Sequence, residues 1–64
     1  MVYYKKCSAS QKSIVDALKS IGVDSSMTNR KKITAANNIS NYTGTAAQNE
    51  KMLNLLKQGK LIKP

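Results

Sequence analysis

Residues 14–22 read IVDALKSIG. Ile14, Val15, Leu18 and Ile21 recur at helical intervals and form one apolar stripe. Gly22 follows the stripe, and glycine readily takes the left-handed conformation that closes a helix. Val23 then falls at the second position past the cap, within reach of Leu18. Residues 52–59, MLNLLKQG, repeat the arrangement, with Met52, Leu53, Leu55 and Leu56 ahead of Gly59. Two amphipathic helices, each stopped by a glycine, therefore frame the chain. Two copies of one pattern do not make a solenoid.

Moving outward from the first helix, Ser8 and Gln11 have the spacing of a capping box, with Ser10 as a rival cap. A second helix is expected from Ser26 to about Asn37, its buried side formed by Met27, Ile33 and Ala36, with Ile39 in the exit. Asn37 and Asn38 suit a turn. Residues 40–44, SNYTG, have the chemistry of a loop. Thr45 and Gln48 make a further capping box that opens the third helix. At the outer ends, VYYKK (2–6) and KLIKP (60–64) carry β-formers, and Lys63 and Pro64 suit a sheet edge. The predicted fold is a single domain, 1–64, mainly α (α+β): three helices with a small two-stranded β element formed by the chain ends. Alternation along the first strand separates Tyr3 from Tyr4. Tyr4 and Lys6 are assigned to the exposed side.

Composition narrows the chemistry. Sixty-four residues permit one small core, and a single cysteine, Cys7, permits no internal disulfide. There is no histidine, so a Cys7 thiolate would lack a base and a His/Cys metal site is not expected. The three acids, Asp16, Asp24 and Glu50, fall on separate segments, and the three glycines are isolated. Neither a carboxylate pair nor a phosphate-cradling loop is foreseen. The residues argue against an enzyme and call for no cofactor. No apolar run is long enough to cross a bilayer, and the opening MVYYKKCSAS lacks the apolar core of a signal peptide.

What remains is binding. Eleven Lys and Arg against three acids give a formal net charge of +8, which favours a polyanionic partner. The stretch 29–49, NRKKITAANNISNYTGTAAQN, holds both cations and neutral polar groups. Arg30, Lys31 and Lys32 are consecutive, so on a helix they fan across roughly 200° and act as diffuse attraction. Asn37, Asn38, Asn41, Tyr42 and Thr43 supply amides, hydroxyls and one ring, the groups that match a sugar's hydroxyls and its apolar face. The candidate ligand-binding set is Tyr4, Lys6, Arg30, Lys31, Asn37, Asn38, Asn41, Tyr42 and Thr43.

The segments SIVDALKSIGVDSS, NRKKI.AAN.I.NY.GTAAQN and MLNLLKQGKLIKP resemble the small C-terminal cell-wall-binding modules of peptidoglycan hydrolases, among them endolysins of phages that infect Gram-positive bacteria. The resemblance covers nearly the whole chain. The layout is also similar to an enlarged LysM module, in which two end strands pair, although Tyr42 to Gly59 stand where LysM has a short loop. The resemblance implies a targeting module that holds a bacteriolytic enzyme on peptidoglycan glycan or a teichoic polymer. It acts at the bacterial cell wall, outside the cell after release. The implied partners are the wall and the catalytic domain of a parent lysin, joined in cis or through homo-oligomerisation, with no membrane insertion.

Two other classes compete. A small basic helical nucleic-acid-binding protein is supported by the charge and the Arg30–Lys32 cluster. A partner-binding adaptor would use Leu53 and Leu56 as an exposed seam.

Overall fold

Three serine or threonine hydroxyls set where the helices begin. The computed structural model describes residues 1–64. The Ser13 side chain accepts from the Val15 N–H and opens α1, Ile14–Ser20. Ser26 accepts from the Asn29 N–H and opens α2, Met27–Ala36. Thr45 accepts from the Gln48 N–H and opens α3, Ala46–Lys57, while the Gln48 side chain accepts from the Thr45 N–H. This reciprocal pair is the capping box expected from the sequence.

The start of α1 differs from expectation. Ser8 and Ser10 bond to each other through their hydroxyls at 2.8 Å, and the Gln11 N–H donates to the Ser8 carbonyl at 3.2 Å. They form a turn ahead of the helix. ASQK (9–12) brings no apolar side chain larger than the exposed Ala9 methyl, so helix here would gain little core contact, whereas Ser13 stands directly before Ile14.

All three helices end alike. The N–H two residues past each cap reaches back to the carbonyl five residues earlier: Val23 to Leu18, Ile39 to Thr34 and Lys60 to Leu55, each at 2.9 Å. Such closures need a left-handed residue between. Gly22 and Gly59 fill that position as the sequence suggests, and Asn38 fills it after α2 with φ of 60°.

The buried residues join all three helices to both chain ends. Ile14, Ala17 and Leu18 come from α1, Ile33 from α2 and Met52, Leu53 and Leu56 from α3. Tyr4, Cys7, Ile39, Tyr42 and Leu61 complete the cluster. α1 packs directly on α3. Leu53 and Leu56 are both buried, which overturns the exposed seam that an adaptor would need. Met27 is 41% exposed instead of buried. The inward position on α2 goes to Thr34, whose hydroxyl donates to the carbonyls of Arg30 and Lys31 and so satisfies itself within the helix.

The ends do meet, but they form no two-stranded element. One antiparallel bridge links Tyr3 with Ile62. The Tyr4 N–H donates to the Leu61 carbonyl at 2.8 Å and the Lys63 N–H to the Val2 carbonyl at 2.7 Å. Pairing goes no further because the Lys60 N–H turns back to the Leu55 carbonyl at 2.9 Å to close α3. Gly59 then leaves the extended region altogether, with φ of +71°. Tyr4 lies on the core side at 9% exposure, and Tyr3 is the exposed ring at 49%. The assignment of Tyr4 to the solvent face is therefore reversed, and burial pushes its phenol up from the ordinary tyrosine range.

Candidate functional site

The segment between α2 and α3 is shaped by two asparagines in the left-handed region, Asn38 with φ of 60° and Asn41 with φ of 53°. Asparagine tolerates this conformation better than other side-chain-bearing residues. Between them Ile39 is buried and pins the loop to the core, while Ser40 is exposed. Gln48 holds the far side. Its Oε1 accepts from the Thr43 N–H at 3.0 Å, and its Nε2 donates to the Asn41 carbonyl at 3.0 Å. One side chain thus caps α3 and staples the loop.

This geometry leaves an open groove of about 520 Å³ between α2 and the loop. Lys31, Thr34 and Ala35 line it from α2, and Asn38, Ile39, Ser40, Asn41 and Tyr42 line it from the loop. Of the residues expected from sequence, Lys31, Asn38, Asn41 and Tyr42 come together here. Lys31, Asn38 and Asn41 are exposed, so an ammonium and two amides are free to meet a polar ligand.

The remaining expected residues stand elsewhere. Asn37 turns away, toward the C-terminal segment. Its Nδ2 donates to the carbonyls of Ile33 and Ile62 at 2.7 and 2.9 Å, and its Oδ1 accepts from the Ile62 N–H at 2.8 Å. Its amide is fully engaged in the scaffold. Arg30 is half-buried; its Nε donates to the Ser25 carbonyl at 3.0 Å and its Nη1 to the Tyr42 hydroxyl at 2.9 Å. Thr43 is exposed beyond the groove. Lys6 lies at the joined chain ends, where its methylenes sit over Gly59. Tyr4 lies in the core, with the Lys63 ammonium 5.5 Å from its ring centre.

Tyr42 is mostly scaffold as well. It is 8% exposed, its hydroxyl donates to Asn49 Oδ1 while accepting from Arg30, and the Arg30 guanidinium lies 5.9 Å from its ring centre. Tyr42→Phe is expected to destabilise the chain by about 1–2 kcal/mol, because it leaves the half-buried Arg30 and Asn49 without their shared partner. A thermal melt followed by circular dichroism checks this; an unchanged midpoint would contradict the role. Tyr42→Ala would remove a core ring, so it is no clean probe of ligand contact.

Sequence reasoning missed Gln48 and Asn49 as organisers of the site. The spacing of Thr45 and Gln48 predicts only a cap. Nothing in local spacing announces a bond from Asn49 back to residue 42, which arises only when α3 folds against the loop. Ser40, Thr34 and Ala35 were also not foreseen as lining. A second open groove, about 810 Å³, runs between residues 9–15 and α3, with Glu50, Asn54 and Lys57 along one wall. Nowhere do three His, Cys, Asp or Glu side chains gather, and no helix is long and apolar enough to cross a membrane.

The chain is 47% identical over 47 residues to an L-alanyl-D-glutamate peptidase of Listeria phage A118. The match takes in 73% of this chain but only 17% of the peptidase, so the chain spans a small part of that relative's length. No protein-family model matches the chain, and no solved structure matches it.

Proposed function

We propose that this chain is a non-catalytic module that binds the Gram-positive cell wall and targets a bacteriolytic enzyme to it. The observation that carries the reading is the partial relation to the phage peptidase, confined to 17% of that protein. A stretch of that size, lacking any histidine and with its acids dispersed, suits an accessory role in a lytic enzyme better than its chemistry. The groove beside α2 supplies amides and a cation suited to a hydroxyl-rich or anionic wall component. Weak contacts on an insoluble polymer become effective because the second contact is intramolecular. The catalytic partner is joined in cis or through assembly of copies, and the site of action is the wall outside the cell.

The nucleic-acid alternative loses some of its support. Arg30, the one arginine of the basic cluster, is held against Tyr42 and the Ser25 carbonyl and is not free to clamp a phosphate.

A fluorescent fusion of the chain is expected to sediment with purified, nucleic-acid-free Gram-positive walls; absence of binding to every wall tested would sink the reading. Asn38→Gly and Asn41→Gly probe the groove cleanly, because glycine accepts their positive φ while removing the amide. The double change is expected to weaken wall binding about tenfold, the worth of one good polar contact, with the melting midpoint unchanged or raised. Undiminished binding would move the contact surface elsewhere.

A further inference from the structure

The loop wall of the groove beside α2 has no backbone ladder of its own. Within residues 40–44 no backbone group bonds to another backbone group. Ile39 and Tyr42 anchor the segment through buried side chains, yet Asn41 is exposed and left-handed, with φ of 53°. Its backbone is held from α3. The Gln48 Nε2 donates to the Asn41 carbonyl at 3.0 Å, while the Gln48 Oε1 accepts from the Thr43 N–H at 3.0 Å and the Thr45 N–H at 3.2 Å. Asn49 adds one bond, from its Nδ2 to the Gly44 carbonyl at 3.3 Å. The first turn of α3 is thus the mould on which this wall is cast.

A capping box asks its third residue only for an acceptor. Glutamate there completes the box as glutamine does, and its charge suits a helix N-terminus. The first turn of α3 nevertheless carries no acid. What glutamine alone brings is an N–H donor, and that donor goes to Asn41. The amide nitrogen is therefore surplus to the helix and specific to the groove. Gln48 also stands behind the groove wall, outside its lining.

A loop that must be ordered as its ligand arrives binds more weakly by the cost of that ordering. We infer that Gln48 is a positioning residue for the groove. It touches no ligand; it holds the Asn41 backbone in the left-handed conformation, so that the Asn41 amide stands ready beside those of Asn38 and the Lys31 ammonium. The inference rests on the groove being the contact surface of the wall-binding reading.

Gln48→Glu separates the cap from the tie. Its carboxylate keeps both acceptor bonds but turns an oxygen against the Asn41 carbonyl. Asn54→Asp is the control, making the same amide-to-acid change at an exposed position of α3 outside this groove. With fluorescent fusions on purified Gram-positive walls near neutral pH, Gln48→Glu is expected to bind about fivefold more weakly than the control, the worth of one lost hydrogen bond. Its melting midpoint is expected to stay within about 4 °C of the wild-type chain. Gln48→Ala, which loses cap and tie together, is expected to fall in both. Lowering the pH through the ordinary carboxylate range, near about 4.3, supplies a signature. A protonated carboxyl group offers one acceptor and one donor, as the amide does. Gln48→Glu then regains the bond to Asn41, and the gap to the control closes.

Equal binding by Gln48→Glu and the control would overturn the positioning role, while a loss in Asn38→Gly/Asn41→Gly would keep the groove as the contact surface. A Gln48→Glu variant that melts as low as Gln48→Ala would reduce Gln48 to a fold-stabilising residue and overturn the inference. A gap that persists at low pH would overturn the donor bond as its cause. Undiminished binding by Asn38→Gly/Asn41→Gly would remove the groove itself, and the inference with it.

Discussion

Leu56→Ala is expected to lower the melting midpoint by about 12–24 °C. Leu56 is fully buried, 0% exposed, on the face of α3 that meets the rest of the core. Deleting its three outer carbons removes their transfer free energy and leaves a cavity that the surroundings fill only in part, together about 3 kcal/mol. In a domain of this size each kcal/mol shifts the midpoint by about 4–8 °C. Domains are stable by only about 0.05–0.15 kcal/mol per residue, so for 64 residues the loss is a large share of the total. With no disulfide and a lone buried cysteine, nothing covalent compensates. Leu55→Ala, at a position only partly buried against the cluster, should cost less than half as much. Thermal unfolding followed at 222 nm checks both, and a fall below about 5 °C for Leu56→Ala would contradict the packing described.

Asn37→Ala is expected to destabilise the chain by about 2–3 kcal/mol through a different physical route, the loss of hydrogen bonds to half-buried backbone groups. The Asn37 amide pairs with both the N–H and the carbonyl of Ile62, as a neighbouring strand would, and its Nδ2 also donates to the Ile33 carbonyl. The other edge of the C-terminal segment bonds to Val2 and Tyr4. Residues 61–63 are thus held from both sides, and Asn37 covers an edge that would otherwise be open. Alanine leaves the polar groups of Ile62 partnerless and loosens Leu61, a fully buried side chain. Asn37→Asp should be no better, since its carboxylate keeps the acceptor but turns against two carbonyl oxygens. Amide exchange at Ile62 should quicken more than exchange within α1, and equal protection in the variant would refute the clip.

The contrast between Leu56 and Asn37 shows which features were legible in the sequence. Leu56 belongs to a periodic stripe, and periodicity survives in one dimension. The same holds for the caps at Ser26 and Thr45 and the stops at Gly22 and Gly59, all set by neighbours within a few residues. Asn37 was foreseen as a ligand contact because it stands among other polar loop residues, yet its partner is twenty-five positions away. Tyr42 does line the groove, but local sequence says nothing of its bonds to Arg30 and Asn49, which exist only once α2, the loop and α3 converge. Tyr4 and Tyr3 were exchanged because alternation separates two neighbours without saying which faces inward. Within the candidate site, the residues that were legible, Lys31, Asn38 and Asn41, are those whose side chains remain exposed. Those consumed by long-range bonds were not.

The seam between the chain ends also has a mechanical meaning. Its two backbone bonds, Tyr4 to Leu61 and Lys63 to Val2, lie side by side where the chain enters and leaves the domain. Tension applied between the two ends would open them one after the other, as a zipper opens, with each bond bearing the whole load in turn. Tension between one end and a ligand held at the groove beside α2 follows another path, through α2 or the α3 cap. A cargo tethered by a single end shares its load between the packed helices and the Asn37 clip on Ile62, whereas a tether at both ends would put the whole load on the seam bonds in turn.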